Sequence, residues 1–426
     1  MKLAVFTPAN SEARYFTQHV LGPLPQCEKI LIGLGSELNP LTYFPDNQDT
    51  QTCVLHHLVD DITVRTERLL LGAIPGVTIV HNIFMSSHGP EAIINSAFSD
   101  TIGLFKRALT KFPARSKEYP RDKYYAVREL SLSLLPIFTD PTMHAEFLKR
   151  SVGVPNLAVT SAYLPWPVTI SYQRHLKRSS EISQFNPLRI GLSCGLRLGG
   201  RAHQLMRALS KLHNPQLVKV VWLVPHEKDV SLAREFCAAW PNILVEIKSG
   251  RTPESWLELT KTLDVAVHLH FGMFELPGPY LPISLGAGVP CIVSSPAASY
   301  LPAGAAIFIR PGAISSGGGE VAELRFAISE LLKAERNVNT ELALDYVADN
   351  HAPQIIQSEF LSLLEDNREA LINAQIKLRD LRLWARAELL AEIKTPAVLD
   401  DVFSELGWHA QPTPLFKGDT VIGSNA

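Results

Sequence analysis

The sequence has no C-x-x-C pair; its five cysteines (Cys27, Cys53, Cys194, Cys237 and Cys291) are odd in number and widely spaced. That pattern excludes the usual zinc and dithiol spacings and leaves reduced core residues as the expectation. Long apolar runs are also missing. Even Leu217 to Pro225 is broken by Lys219, well short of the ~20 residues that cross a bilayer. After Met1 and Lys2, the apolar stretch from Leu3 ends at Thr7 and Pro8, too short for the roughly 7 to 15 residues of a secretory core. The expected location is the cytoplasm. Basic residues form no block, and 40 Lys plus Arg against 42 Asp plus Glu give a formal net charge of -2, which disfavours nucleic acid as a partner.

Several chemical signatures are absent as well. The turn from Phe6 to Glu12 lacks G-x-G-x-x-G, the glycine pattern that lets a dinucleotide pyrophosphate approach a helix. No G-x-x-x-x-G-K-[ST] or H-E-x-x-H occurs, so ATPase and zinc-protease readings have no motif behind them. No D-x-D pair stands near a strand edge, and Asp60-Asp61 falls in an expected helix. Neither a catalytic metal nor a cofactor is expected.

With 426 residues, 46% of them apolar, the chain exceeds one domain of about 100 to 200 residues and can bury a large core. Short apolar runs alternate with helical patterns, which predicts parallel sheets covered by helices. In residues 1–168 the runs Leu3 to Phe6, Lys29 to Ile32, Val77 to Val80, Leu134 to Phe138 and Leu157 to Thr160 read as strands. The spacing of Ile93, Ile94, Phe98, Ile102 and Phe105 predicts a long helix from Pro90 to Lys111. Leu164 to Pro187, with three prolines and few apolar anchors, reads as an interdomain connection. A second series occupies 188–353, with strands expected at Arg189 to Ser193, Val218 to Val224, Ile243 to Glu246, Val265 to Leu269, Cys291 to Ser294 and Ala306 to Ile309. Residues 354–410 read as helical, with Ile356, Phe360, Leu363 and Leu364 on one face; 411–426 read as a flexible tail.

Two stretches of the second unit can carry chemistry. At Gly195, Arg197, Gly199 and Arg201 a strand-to-helix turn can aim backbone N–H groups, a helix dipole and two guanidinium groups at a diphosphate; a glycine turn with surface arginines fits equally well. From His268 to Tyr280 a strand ends and Glu275 stands in a Pro/Gly loop. A short helix then starts at Pro279, and Gly286 to Pro290 leads into the next strand. Glu275 is thus expected at the carboxyl edge of a parallel sheet, where open α/β folds bind ligands. His268 and His270 lie two apart on that strand with no third ligand at a matching offset, so no metal site is expected there.

The second stretch resembles the donor region of the family 4 glycosyltransferases, whose loop of the form E-x-x-G precedes a helix and a small-residue segment ending G-x-P. Glu275, Gly278, Gly286, Ala287, Gly288 and Pro290 match that form in order. Pro75 to Asn82 looks like the family's N-domain strand ending in His-Asp, with His81 and then Asn82 in place of the acid. The Gly195 to Arg201 turn looks like its diphosphate segment, with Arg201 where Lys is usual. Asn350 to Pro353 looks like the start of its closing helices. Two departures stand out: Ile283 occupies the place of the family's second glutamate, and Asn10-Ser11 replace its N-terminal Gly-Gly turn.

The resemblance implies the GT-B fold: α/β, two Rossmann-like α/β/α domains facing each other across a cleft, with C-terminal helices. It implies retaining transfer of a sugar from a nucleotide-sugar donor to a saccharide, lipid-linked or other hydroxyl acceptor, without a metal. Glu275 would orient the sugar, Arg197 and Arg201 would hold the departing diphosphate, and His81 would touch sugar or acceptor. Donor contacts are expected from Gly195, Gly199, Gly250, Thr252, Leu276, Gly278, Pro279, Tyr280 and the Ile283 position, with Trp256 a core residue beside the base. Asn10, Ser11, Asn82 and His88 fall on the acceptor side. Two alternatives share the architecture: a nucleotide-sugar epimerase or hydrolase, and a glycosyltransferase-like binding protein without turnover. The basic helix containing Arg368, Lys377, Arg379, Arg382 and Arg386 fits several surroundings: solvent on its own domain, an acidic partner, anionic lipid at the inner face of the membrane, or a second copy in a homodimer.

Overall fold

The computed structural model describes residues 2–7, 10–24, 28–33, 52–59, 71, 76–82, 130, 133–151, 160–170, 182–194, 201–270, 277–295, 298–311, 318–333 and 338–373. Two six-stranded sheets organise them. The first contains β1 (Lys2–Thr7), β2 (Glu28–Gly33), β3 (Thr52–Leu58), β4 (Val77–Val80), β5 (Leu135–Phe138) and β6 (Ala162–Tyr163), in the order β2-β1-β3-β4-β5-β6. The second contains β7 (Leu188–Leu192), β8 (Val218–Leu223), β9 (Leu244–Lys248), β10 (Val265–His268), β11 (Cys291–Ser294) and β12 (Ile307–Ile309), in the order β12-β11-β10-β7-β8-β9. All strand pairs are parallel. Covered on both faces, such strands are continuous apolar runs rather than alternating ones; every residue of β4, β10 and β11 is buried.

The described helices are α1 (Ser11–Phe16), α2 (Pro141–Ser151), α3 (Ala202–Leu209), α4 (Glu227–Cys237), α5 (Pro253–Thr260), α6 (Tyr280–Gly286), α7 (Gly318–Leu332), α8 (Thr340–His351) and α9 (Pro353–Asp366). A π-helical turn, Thr17–Leu21, continues α1. Close packing of α5 on the second sheet depends on Gly191, where a Cβ would overlap the Leu263 side chain and come within 3.1 Å of Trp256. The apolar face expected on α9 is realised: Ile356, Phe360 and Leu364 are fully buried and Leu363 packs beside them.

Three expectations need correction or restriction. Strand β3 escaped the sequence reading because His56-His57 interrupt its apolar run, yet both are 1% exposed, with His56 stacked on Phe6 at 4.8 Å. The start of the expected connection is buried: Leu164, Trp166 and Val168 belong to the core, and Pro165 and Pro167 between them are buried too. Of the strand expected at Leu157 to Thr160, residues 157–159 lie outside the described residues, and the sixth strand is Ala162–Tyr163. The expected helix from Pro90 to Lys111, the Asp60-Asp61 pair, Cys27 and residues 374–426 also lie outside them.

The segment after β6 meets the chain again where α8 ends. Val168 N–H donates to the His351 carbonyl at 2.7 Å, and His351 Nδ1–H donates to the Trp166 carbonyl at 2.8 Å. Beyond this crossing α9 packs on the π-helical turn of the first unit, where Gln357 Nε2 donates to the His19 carbonyl at 2.8 Å. Cys53, Cys194 and Cys291 are buried, Cys237 is half-buried, and no disulfide joins any of these four. No described helix is long and apolar enough to cross a membrane.

Candidate functional site

Strand order reverses between β1 and β3 in the first sheet and between β7 and β10 in the second. Such switch points open a crevice at the carboxyl ends of the strands, the usual ligand position in open α/β sheets. At the second one a buried hydrogen-bond network fixes the frame. Trp256 Nε1–H donates to Ser284 Oγ at 2.9 Å, and Ser284 Oγ–H donates to the Tyr280 carbonyl at 2.8 Å. The serine oxygen therefore accepts from His268 Nε2–H at 3.0 Å. His268 Nδ1 is left as an acceptor, 2.9 Å from Ser193 Oγ. Burial pushes His268 down to about 3, so the ring is neutral and this assignment of protons holds at ordinary pH. The network ties β7 and β10 to α5 and α6. As the sequence indicates, Trp256 is a core residue, with no exposed surface.

A polar cluster lies at the rim of that frame. Gly250 (φ 83°) turns the chain out of β9, Arg251 follows, and Thr252 caps α5 by accepting Ser255 N–H at 3.1 Å. Arg251 Nη1 donates to the Ser193 carbonyl at the end of β7. Its guanidinium carbon lies 5.1 Å from the centre of the Tyr280 ring. The Tyr280 side chain is hydrogen-bonded to both Arg251 and Glu12, and burial followed by the Glu12 charge keeps its hydroxyl protonated. Glu12 comes from the first turn of α1, on the other unit. Its Oε2 lies 3.6 Å from where a Cβ on Gly278 would sit, and Gly278 holds the left-handed φ of 55°. Here the two carboxyl edges meet. His270 stands beside Arg251, with its backbone N–H donating to Ser294 Oγ at 2.9 Å.

On the first unit a second chain of hydrogen bonds runs through histidines. Thr17 Oγ1 donates to the Ala13 carbonyl at 2.9 Å, so it accepts from His57 Nε2 at 2.9 Å. His57 Nδ1 then accepts from His81 Nε2 at 2.9 Å. Burial pushes His57 down to about 3 and holds His81 well below its ordinary value. Trp166 stacks on His81 at 4.5 Å, and Phe16 meets it edge-on. Nearby, Asp140 caps α2 by accepting the N–H groups of Thr142 and Met143 at 2.8 and 3.0 Å. Burial raises its carboxyl to about 6 against the lowering effect of those bonds.

The structure gathers Gly250, Thr252, Gly278, Pro279 and Tyr280 at the second switch point, as the sequence reading groups them. On the facing side it places Asn10 and Ser11 at the start of α1, which packs against α5. The Asn10 side chain is engaged as the cap of α1, accepting from Glu12 and Ala13 N–H at 2.9 and 3.1 Å. Asn82 is partly exposed just beyond β4. Three expected contacts take other positions. Arg201 has no exposed surface and its guanidinium is paired with Glu320. Ile283 lies inside α6 at 1% exposure, and His81 is 4% exposed and walled by aromatic rings. Glu275, Leu276, Arg197, Gly195, Gly199 and His88 lie outside the described residues. Sequence reasoning missed Arg251, Glu12 and Asp140, and weighed His270 only as a metal ligand. Only Arg251 left a local trace, as a lone cation between a turn glycine and a helix cap.

No protein-family model matches the sequence, and no curated protein matches it. Solved structures do share its fold. HepE of Anabaena in complex with UDP-glucose gives a TM-score of 0.55 at 13% identity, covering 86% of this chain and 100% of that one. Sucrose-phosphate synthase from Thermosynechococcus elongatus gives 0.52 at 12% identity, covering 87% and 100%. With the two parallel sheets and their strand orders, these likenesses define a GT-B fold built of two Rossmann-like domains.

Proposed function

We propose that this chain is a retaining, metal-independent glycosyltransferase that moves a sugar from a nucleotide-sugar donor to a hydroxyl of a saccharide or lipid-linked acceptor. One observation carries the reading: the Gly278-to-Pro290 pattern lies at the β7/β10 switch point, and the rim of that site is completed by Glu12 from the opposite domain. Supporting it, one neighbour in fold is a complex with UDP-glucose and another is named a sucrose-phosphate synthase.

In the proposed reaction the bond from the anomeric carbon to the phosphate oxygen breaks, and a bond to the acceptor oxygen forms on the same face. The acceptor proton leaves with the nucleoside diphosphate. Charge builds on the departing oxygen, so a preorganised cation there contributes about 3 kcal/mol to lowering the barrier. Arg197, with the backbone of the Gly195 and Gly199 turn, takes that role. Glu275 orients the sugar through its hydroxyls. Arg201 holds the start of α3 through Glu320, and His81 packs the wall formed with Trp166; neither touches substrate in this scheme.

A thermal-shift panel of nucleotide sugars tests donor binding, because a ligand that binds the folded state raises its apparent stability. With the donor found, Glu275→Ala and Arg197→Ala are each expected to cut turnover by about a hundredfold, read as donor-dependent release of nucleoside diphosphate. Wild-type rates in both variants would remove these assignments. Full activity in EDTA and retained anomeric configuration by NMR check the remaining two attributes.

A further inference from the structure

Among the described residues, His270 combines burial with unmet hydrogen-bonding capacity. Its ring is 2% exposed, and neither Nδ1 nor Nε2 has a partner. His268, two residues earlier, has both nitrogens held by serines. Buried polar side chains are almost always paired, and an unpaired one calls for an explanation. His270 sits where the chain leaves β10 at the switch point, on the carboxyl side that the cleft faces.

The chemistry of the ring narrows what it can meet. Burial first, then His268 and Arg251, hold it in the neutral form, which presents one N–H donor and one bare acceptor nitrogen. A phosphate oxygen would satisfy the donor alone and repel the lone pair. Hydroxyl groups both donate and accept, so a polyhydroxylated ligand satisfies both nitrogens. A metal is disfavoured by the donor set: among the described residues no group of three His, Cys, Asp or Glu side chains converges.

We propose that His270 reads the sugar of the donor, its bare nitrogen accepting a hydrogen bond from one sugar hydroxyl and its N–H donating one to a second sugar oxygen. This rests on the nucleotide-sugar reading above and adds to it a specificity-determining contact. Because the nitrogens have no protein partners, removing them leaves the empty protein as stable or more stable while weakening sugar recognition.

The test uses UDP-glucose, GDP-mannose and ADP-glucose with the matching UDP, GDP and ADP as probes of full-length wild type, His270→Phe and His270→Asn. For the nucleotide sugar that wild type binds, His270→Phe is expected to lose about tenfold or more in affinity, to keep wild-type affinity for the matching diphosphate, and to show an unliganded Tm at or above wild type. His270→Asn, which retains a donor and an acceptor, is expected to fall between. Equal losses for nucleotide sugar and diphosphate would put the ring on the phosphates and overturn the proposal. Lower Tm in both variants with sugar discrimination intact would make the residue structural and overturn it too. If wild type binds none of the six probes, the donor reading falls and this contact with it; if wild type binds and His270→Phe matches it, only His270 falls.

Discussion

Arg201 carries two costs at once. It caps α3 in the left-handed region at φ 49°, a conformation that costs a residue with a Cβ about 1 to 2 kcal/mol, and its guanidinium is removed from water. Glu320, in the first turn of α7, offsets the second cost: Arg201 Nε donates to its Oε1 at 2.6 Å and Nη2 meets Oε2. The pair fastens the start of α3, which follows the Gly195 turn, to α7. Glu320→Ala leaves a buried charge uncompensated and is expected to cost about 3 to 5 kcal/mol, read from the urea midpoint. Arg201→Met with Glu320→Leu removes both charges and is expected to recover most of that loss. A double variant no better than the single one would show that packing, and not the charge pair, holds this junction. Sequence pattern pointed to an arginine at this turn but not to its direction, because the partner lies 119 residues away.

The elements were readable wherever their signal is local. Apolar runs predicted β4 and β11 at their observed limits, and the turn at Pro279 predicted the start of α6. What failed depended on distant partners. His56 and His57 look polar until Phe6 stacks on one and Thr17 and His81 bind the other, so β3 was invisible. The proline-rich stretch after β6 does connect the two units, but nothing local shows that Trp166 within it docks on His81. The site divides the same way: turn glycines and the cap were legible, whereas Arg251, His270 and Glu12 become a group only through the fold. The terminal helix α9, legible from its periodic face, should bear its own weight in stability. Phe360→Ala is expected to lower the urea midpoint by about 3 to 5 kcal/mol equivalent, since Phe360 has no exposed surface. An unchanged midpoint would mean that α9 docks loosely.

For the whole molecule, buried histidines set the response to acid. Burial lowers His57, His81, His268, His270 and His351, to about 3 for His57 and His268 and about 4 for His351. A histidine depressed in the folded state lends stability that is complete above the ordinary value of 6.5 and is lost as pH falls towards its folded value. Each ring that stays neutral in the fold but takes a proton in the unfolded chain draws on the stability as pH falls below 6.5. Asp140, raised to about 6, works the other way: its contribution is complete below the usual carboxylate range and lost as pH rises through 6. One carboxyl does not outweigh five imidazoles. The urea midpoint read by far-UV circular dichroism should therefore fall as pH drops from about 6.5 to 4.5; an unchanged midpoint over that range would contradict the lowered histidines.

The two passages of the chain between the lobes lie side by side, and two hydrogen bonds join Trp166 and Val168 to His351. A pair of adjoining connections defines an axis. Sliding one passage past the other would have to break these bonds, so a relative motion that kept them would be a rotation about that axis. Such a rotation would separate Glu12 from Tyr280 without disturbing the serine-histidine brace beneath, so the rim of the cleft can open like a book while its spine stays stitched.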